Sequence, residues 1–304
     1  MRIVNPAVAA VIAVLLAAAV PAQRPRTKPA PKRLPIVFAV LNNGKIVEPI
    51  GYVDKGKLTG AVDGAAEAPI LAAFHRAYFK PETAYRLIFG GANAGTVTIK
   101  SSDPKSECIS STAQIAFAAP KAKLKGNVMA LATDVPVTTK ASGVRRLPTA
   151  AERAEIEALV RERMTAQKVS ASAVKDLKYH NLTALDVDAD GNVEMVGTFW
   201  ADASPKSRAL LFLIADKGGD GKYAFGFTDF RLIEEKDVMS KEISEVDNGV
   251  YHERLLDVLD LNSDGVAEVF TYIQSFEGAG FNAYRRANGK WINIYEGSNY
   301  HCAY

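Results

Sequence analysis

Two short acidic segments are the residues of this chain best suited to chemistry. They read DVDADGNVE at 186–194 and DLNSDGVAE at 260–268. Each has side-chain oxygens at its first, third and fifth positions, a glycine at its sixth and a glutamate at its ninth. Calcium binds about six to eight oxygens, and alternate side chains of a tight turn can converge on one ion. Glycine permits the left-handed bend that such a turn needs. Both segments are therefore predicted to bind Ca²⁺.

An EF-hand is excluded by two features of these segments. The EF-hand loop needs a bidentate glutamate at its twelfth position, where this chain has Gly197 and Thr271. Its flanks are helical, whereas VEMVGTFW at 193–200 and AEVFTYIQ at 267–274 have the composition of strands. A simpler interpretation is that Asp, Asn and Gly only form good hairpin turns. Two copies in the same register favour calcium binding.

The segments resemble the calcium loops of FG-GAP/VCBS-type repeats, as in integrin-like propeller blades. That family has the pattern DxDxDGxxD followed by a strand, and the resemblance covers about residues 178–304. Glutamate stands here where the family has its final aspartate. The ligands that the resemblance implies are Asp186, Asp188, Asp190 and Glu194 in the first loop and Asp260, Asn262, Asp264 and Glu268 in the second.

The elements that must position these loops repeat along the chain with an offset of 74 residues. Fixed-period similarity of this kind is typical of stacked supersecondary units. Each predicted unit has four strands, and its acidic loop joins the first strand to the second. The predicted strands are 179–187, 193–201, 208–216 and 222–233, then 251–259, 266–275, 280–286 and 290–296. Two units are few for such an array, so the first half of the chain is expected to cover an exposed face of the second.

The first half also has the pattern of a β-rich domain. Ile70, Leu71, Phe74 and Tyr78 predict one buried helical face. A capping box at Thr149–Glu152 predicts a second helix that ends near Lys168 and connects the halves. The predicted strands are 36–41, 45–53, 84–90, 95–101, 113–118 and 127–132. The predicted fold is mainly β and antiparallel, with two blade-like four-stranded repeats packed against a β-rich N-terminal domain containing one or two helices.

Five segments follow from these patterns. They are a signal peptide at 1–22, a Pro/basic linker at 23–35, a β-rich domain at 36–148, a connecting helix at 149–170 and the two repeats at 171–304. An apolar run at 7–20 after Arg2 is typical of a cleaved secretion signal, which predicts a secreted or periplasmic protein. The alternative is an uncleaved N-terminal anchor, because five basic residues follow that run closely.

The net charge of +3 comes from the N-terminal segment. Residues 1–33 contain six of the 37 basic residues and no acidic ones, which leaves 31 basic against 34 acidic residues, or −3. A nucleic-acid-binding protein concentrates positive charge on its folded surface. Nucleic acid is therefore excluded as a partner, and no membrane span is expected after signal cleavage.

Two cysteines, Cys108 and Cys302, are predicted to form one disulfide in an oxidising compartment. Two free thiols are the alternative. The four histidines are scattered: His75 lies beside the stripe of the first helix and is expected at the surface, while His301 adjoins Cys302. No HExxH, GxSxG or P-loop motif occurs, so no catalytic residue is assigned.

Aromatic residues crowd the end of the chain, where they form either core or an exposed surface for a protein or glycan partner. They are Phe270, Tyr272, Phe276, Phe281, Tyr284, Trp291, Tyr295, Tyr300 and Tyr304. The sequence favours an exported, calcium-stabilised, β-rich binding or scaffold protein without catalytic activity. A secreted hydrolase, for example one acting on carbohydrate, is the alternative, and a membrane-tethered accessory protein is a third possibility.

Overall fold

The computed structural model describes residues 33–136 and 143–302, and its folded unit begins at Leu34. The predicted signal segment 1–22 lies outside the described residues, as does the linker 23–35 except for its last three residues. Within the described part of the chain, no helix combines the length and the apolar character needed to cross a membrane. The fold is mainly β and antiparallel, as predicted.

Six strands of the first half close into a barrel. Around the barrel the order is β1, β7, β4, β5, β6, β2, and β2 returns to pair with β1. A further strand, β3, extends from β2 outside the ring and was not predicted. The bounds are β1 Ile36–Leu41, β2 Ile46–Asp54, β3 Lys57–Gly60, β4 Ala84–Phe89, β5 Ala92–Ser101, β6 Ala113–Ala118 and β7 Ala130–Thr133.

The strand β1 shows why its sequence, IVFAVL, is an uninterrupted apolar run. Successive side chains of a strand point to opposite faces. Phe38 and Val40 therefore pack in the barrel interior, while Val37 and Leu41 point outward. Both faces are buried, because the outer face of the barrel packs against the second half of the chain.

The first helix, α1 (Ala68–Tyr78), packs against the barrel interior through Phe74 and Tyr78. Leu71 is also buried, as predicted. The prediction was wrong for Ile70, which is 50% exposed and lies off the buried stripe.

His75 belongs to the buried face of α1, together with Leu71, Phe74 and Tyr78, so the expectation of a surface histidine was wrong. Its Nδ1 lies 2.8 Å from the Oγ of Ser102, and its Nε2 lies 2.7 Å from the carbonyl oxygen of Ser110. Both ring nitrogens therefore have hydrogen-bond partners, which makes burial of this polar side chain tolerable.

The second half contains the two predicted four-stranded units. The first sheet is β8–β12, in which the short β8 adds an unpredicted edge strand beside β9. The second sheet is β13–β16. The bounds are β8 Arg145–Arg146, β9 Lys178–Leu185, β10 Glu194–Ser204, β11 Ser207–Lys217, β12 Tyr223–Glu234, β13 Glu253–Leu259, β14 Glu268–Gln274, β15 Gly278–Ala287 and β16 Lys290–Tyr300. A short helix, α3 (Ser244–Asp247), precedes β13.

The two sheets pack face to face through an apolar layer. Val196 and Phe212 of the first sheet meet Val258 and Trp291 of the second in one buried cluster. The barrel covers the other face of the second sheet, where Phe270 packs with barrel side chains of the outward-facing set. The expectation that the first half of the chain covers the repeats is therefore confirmed for the second unit.

The other face of the first sheet is covered by α2 (Ala150–Ala166). Thr149 and Glu152 form the predicted capping box, and the helix ends two residues before Lys168. Ile156, Val160 and Met164 are fully buried against this sheet. The segment predicted as a connecting helix is thus also a structural layer of the second half.

Candidate metal centre

The two acidic loops lie at the same place in the two sheets. The first joins β9 to β10 and the second joins β13 to β14, as predicted. Their backbones bend alike, since φ is positive at Ala189 and Gly191 and at the equivalent Ser263 and Gly265. A Cβ at either glycine would meet no heavy atom within 4 Å. Glycine is therefore needed there for its left-handed backbone and not for space.

The first loop brings Asp186, Asp188 and Asp190 together. One carboxylate oxygen from each lies within 4.8 Å of the others. Two oxygens that bind one calcium ion at about 2.3–2.6 Å are at most about 5 Å apart, so these three oxygens are close enough to share one ion. Exposure to solvent increases across the cluster, since Asp186 is buried, Asp188 is half-buried and Asp190 is exposed. One side of the cluster is therefore open to solvent.

Hydrogen bonds inside the first loop hold its carboxylates in place. The backbone N–H of Gly191 donates to Asp186 Oδ2 at 3.3 Å. Asn192 donates to Asp190 twice, from its backbone at 2.7 Å and from its side chain at 3.0 Å. These bonds, the side-chain one foremost, lower the pKa of Asp190 and favour its charged form.

The ninth residue of the loop, Glu194, does not join this cluster. Its Oε2 accepts a hydrogen bond from the backbone N–H of Val187 at 3.1 Å, and its Oε1 accepts one from Arg286 at 2.7 Å. Burial raises the pKa of Glu194 to about 7, although the hydrogen bond from Arg286 opposes that rise. In this arrangement Glu194 braces the base of the loop.

Arg286 is the residue at this site that the sequence did not reveal. Its guanidinium donates to Asp188 at 2.7 Å, to Glu194 at 2.7 Å and to Asp216 at 2.6 Å. It also lies over the ring of Trp291, with its Cζ 5.0 Å from the ring centroid. Asp216 lies on β11, beside β10 in the same sheet as the loop, whereas Arg286 lies on β15 and reaches the loop only through the packing of the two sheets.

The second loop repeats the same local geometry. Asp260 accepts backbone hydrogen bonds from Ser263 at 2.7 Å and Gly265 at 3.0 Å. Asn262 and Asp264 hydrogen-bond to each other, with the Nδ2 of Asn262 2.8 Å from Asp264 Oδ2. Because Asn262 is neutral, this loop presents two carboxylates at its first, third and fifth positions where the first loop presents three.

Glu268, the ninth residue of the second loop, makes the same two kinds of hydrogen bond as Glu194 does in the first loop. Its Oε2 accepts from the backbone N–H of Leu261 at 2.8 Å, and its Oε1 accepts from Arg285 at 2.6 Å. Arg285 also donates to the carbonyl oxygen of Gly56 at 3.1 Å, which ties the loop to the β2–β3 turn of the barrel. Arg285 and Arg286 are consecutive in β15 and therefore reach opposite faces of the sheet.

Other residues singled out in the sequence also have defined places. Cys108 and Cys302 form the predicted disulfide, which is consistent with an oxidising compartment. Trp291 is buried in the layer between the sheets, and the Tyr295 hydroxyl donates to the Ile50 carbonyl oxygen at 2.6 Å. The structure therefore places these two aromatic residues in packing contacts within the protein and not on an exposed surface for a partner.

The chemistry open to the first loop is the binding of a cation by oxygen ligands. Hard divalent cations such as Ca²⁺ and Mg²⁺ prefer carboxylate and carbonyl oxygens, and the three aspartates supply such ligands. No protein family, no curated protein and no solved structure was found that matches this chain.

Proposed function

We propose that this chain is an exported, calcium-stabilised, β-rich binding or scaffold protein. The observation that carries the proposal is the convergence of Asp186, Asp188 and Asp190, whose oxygens lie within 4.8 Å of one another. Without a bound cation, three carboxylates at that distance repel one another, and the ion pair between Arg286 and Asp188 offsets part of that repulsion. A bound Ca²⁺ would neutralise this repulsion and stiffen the turn.

We also propose that the repeats are relatives of FG-GAP/VCBS-type units. Two observations support this relationship. Each repeat contributes four consecutive antiparallel strands to its sheet, and each has its acidic loop between the first and second of those strands. The disulfide and the apolar run at 7–20 support export to an oxidising compartment.

Titration with CaCl₂ tests the metal proposal directly. Extracellular calcium modules bind with a Kd of about 0.1–1 mM, which at about 10 mM calcium adds roughly 1.4–2.7 kcal/mol per site. We therefore expect calcium to raise the melting temperature modestly. The same titration with MgCl₂ shows whether the loops prefer the larger ion.

A double variant, Asp188→Ala/Asn262→Ala, should lose this response. Asp220→Asn is the matched control, because Asp220 also accepts a backbone hydrogen bond in a turn, from Lys222 at 3.0 Å, but lies outside the acidic loops. If calorimetry detects no bound calcium at about 10 mM, the acidic residues only shape turns and the proposal fails.

A further inference from the structure

A cavity of about 430 Å³ lies where the barrel meets the second sheet, away from the acidic loops. Its polar wall includes Glu48 from β2, Arg254 from β13, Tyr272 from β14 and His301 after β16. Ile46 and Met129 are among its apolar side chains. Small-molecule sites combine an apolar lining with a few placed polar groups, and the volume is in their range of about 300–1,000 Å³.

Arg254 is a buried cation whose hydrogen-bond partners are neutral. Its two terminal nitrogens donate to Asn127 Oδ1 and Gln274 Oε1, each at 3.1 Å, and its Cζ lies 5.4 Å from the centroid of the Tyr272 ring. The residue is only 8% exposed, and among the described residues its side-chain partners are amide oxygens and no carboxylate forms an ion pair with it. Burying a charge without a counter-ion is unfavourable.

Arg208 is equally buried but, unlike Arg254, has a carboxylate partner. Arg208 is also 8% exposed, but its guanidinium donates to both carboxylate oxygens of Asp247, at 2.6 and 2.9 Å. Arg254 differs from Arg208 in facing a cavity and in having amides where Arg208 has a carboxylate. An anion in the cavity would supply the missing charge.

The second polar group of the cavity is a carboxylate–histidine pair. Glu48 is 1% exposed, and its Oε1 receives hydrogen bonds from Asn299 at 2.8 Å and from His301 at 2.7 Å. Its Oε2 is buried and has no hydrogen-bond partner. The disulfide of Cys302 holds the neighbouring His301 beside Glu48.

The charges of these groups limit what can bind. Glu48 is paired with His301, so Arg254 is the cation of the cavity that lacks a carboxylate partner in the described part of the chain, and one negative charge on a ligand would balance it. An arginine pairs best with a planar oxyanion such as a carboxylate. A hydroxyl on the ligand would satisfy the free oxygen of Glu48.

We propose that this cavity binds a small organic monocarboxylate, with its carboxylate on Arg254 and a hydrogen-bond donor toward Glu48. The apolar side chains contact the carbon body of the ligand. Glu48 is the carboxylate that lines this cavity among the described residues, so the site lacks the carboxylate pair of a glycoside hydrolase and is suited to binding. The proposal does not depend on whether the acidic loops hold calcium.

The test uses the intact oxidised protein and two probes, lactate and 4-hydroxybenzoate, each compared with its neutral amide. Titration calorimetry and ligand-observed NMR report binding. We expect at least one acid to bind with a Kd of about 1 mM or tighter and its amide to bind at least about tenfold more weakly, because the amide lacks the charge that Arg254 recognises. Failure of both acids to bind at about 10 mM, or equal binding of acid and amide, overturns the proposal.

Two variants locate the site. Arg254→Gln should abolish binding of the acid. Asn127→Asp should weaken it at least about tenfold while raising the melting temperature, since the new carboxylate gives Arg254 an internal counter-ion that competes with the ligand. This second variant keeps the arginine, so it decides the question even if Arg254→Gln fails to fold. Asn288→Asp, in the exposed turn before β16, is the control and should bind the acid as the wild type does. Unchanged binding in Asn127→Asp overturns the proposal.

Discussion

At the scale of single residues, Arg286 acts as a built-in cation beside the first acidic loop. It pairs with Asp188, Glu194 and Asp216, two of which are also loop residues. Arg286 and a bound metal ion would therefore share the charge of Asp188. This competition would weaken metal affinity but keep the loop ordered when no metal is bound.

Replacing Arg286 with Met tests this role. The substitution leaves three carboxylates without their counter-ion, so in EDTA we expect the free energy of unfolding to fall by about 3 kcal/mol. Calcium should restore more stability than it adds to the wild type, because Asp188 is then free to bind it. Thermal melts with EDTA and with calcium measure both effects.

Arg285→Met is the matched control for this experiment. Arg285 pairs with Glu268 and with none of the three clustered aspartates. It should destabilise the protein without increasing the calcium response of the first loop. Equal calcium responses in the two variants would contradict the proposed competition.

His180 and His252 form a second residue-scale feature that the sequence did not predict. His180 lies in β9 of the first sheet and His252 immediately precedes β13 of the second, yet their ring centroids are 4.7 Å apart, and Trp200 packs against both. Burial, the neighbouring His180 and Arg254 lower the pKa of His252 to about 3, and burial also lowers the pKa of His180. Both histidines are therefore neutral in the folded protein near neutral pH.

This pair predicts a loss of stability in acid. The pKa of His252 is lower in the folded state than its ordinary value of 6.5, so below pH 6.5 the unfolded chain binds the proton more tightly. The contribution of His252 is intact above that pH and is lost as pH falls toward 3. The variant His252→Phe keeps a ring beside Trp200 but cannot bind this proton. As pH falls below 6.5, its free energy of unfolding should therefore rise relative to that of the wild type by about 1.4 kcal/mol per pH unit.

Urea unfolding at a series of pH values measures that difference. His301→Gln is the control, and its effect on stability should depend on pH in the opposite direction, because a hydrogen bond to Glu48 raises the pKa of His301. Its stabilising contribution is fully present below 6.5 and is lost as pH rises through its folded pKa. A pH-independent difference between His252→Phe and wild type would show that His252 does not titrate on unfolding.

At the scale of elements, α2 is stabilised by its cap and by its buried stripe to different degrees. The Thr149–Glu152 capping box satisfies backbone N–H groups at an exposed helix end. Met164 is fully buried against the first sheet. The apolar contacts should therefore matter more than the cap, since they join the helix to the rest of the fold.

Two alanine variants quantify this difference. We expect Thr149→Ala to lower the free energy of unfolding by about 1 kcal/mol. Met164→Ala should lower it by about 2–5 kcal/mol, because it leaves a cavity beneath the helix. Chemical denaturation measures both, with Leu147→Ala as a control at a residue that is 82% exposed. A larger loss from the cap than from the stripe would show that α2 is only a loosely packed connection.

At the scale of the whole molecule, the barrel and the second half form one folded unit. Phe270 and Phe281 of the second sheet lie in one apolar cluster with residues from the outer face of the barrel. Asp257, which is fully buried, pairs with Arg145 at 2.6 Å and accepts backbone hydrogen bonds from Gly90 and Gly91. A buried charge with partners from both halves makes their separation costly.

A fragment of residues 170–304 should therefore express poorly or aggregate. It would expose the apolar face of the second sheet and, without α2, that of the first, together with unpaired strand edges. It would also lose the partners of Asp257. Size-exclusion chromatography and thermal melting of the fragment test this prediction, with residues 34–304 as the control. A monomeric fragment that melts cooperatively would show that the halves are independent domains.

The sequence by itself determined the elements and the local geometry of the loops. Strand alternation placed fourteen of the sixteen strands in the described part of the chain within four residues of their observed bounds, and the Asp/Asn/Gly spacing located both acidic loops. The capping box at Thr149 and the two four-stranded units, each with its acidic loop between its first and second strands, were predicted correctly. These features depend on neighbours close in the chain, so local periodicity and turn chemistry are sufficient to specify them.

The tertiary structure decided which distant residues complete each site. Arg286 reaches the first loop from 92 positions beyond Glu194, and Glu48 meets His301 across 253 positions. Closure of the barrel by β1 and β2, the burial of His75 and the meeting of His180 with His252 also required the folded chain. No local pattern encodes these contacts, because each depends on how complete sheets pack and on which buried polar groups then find partners.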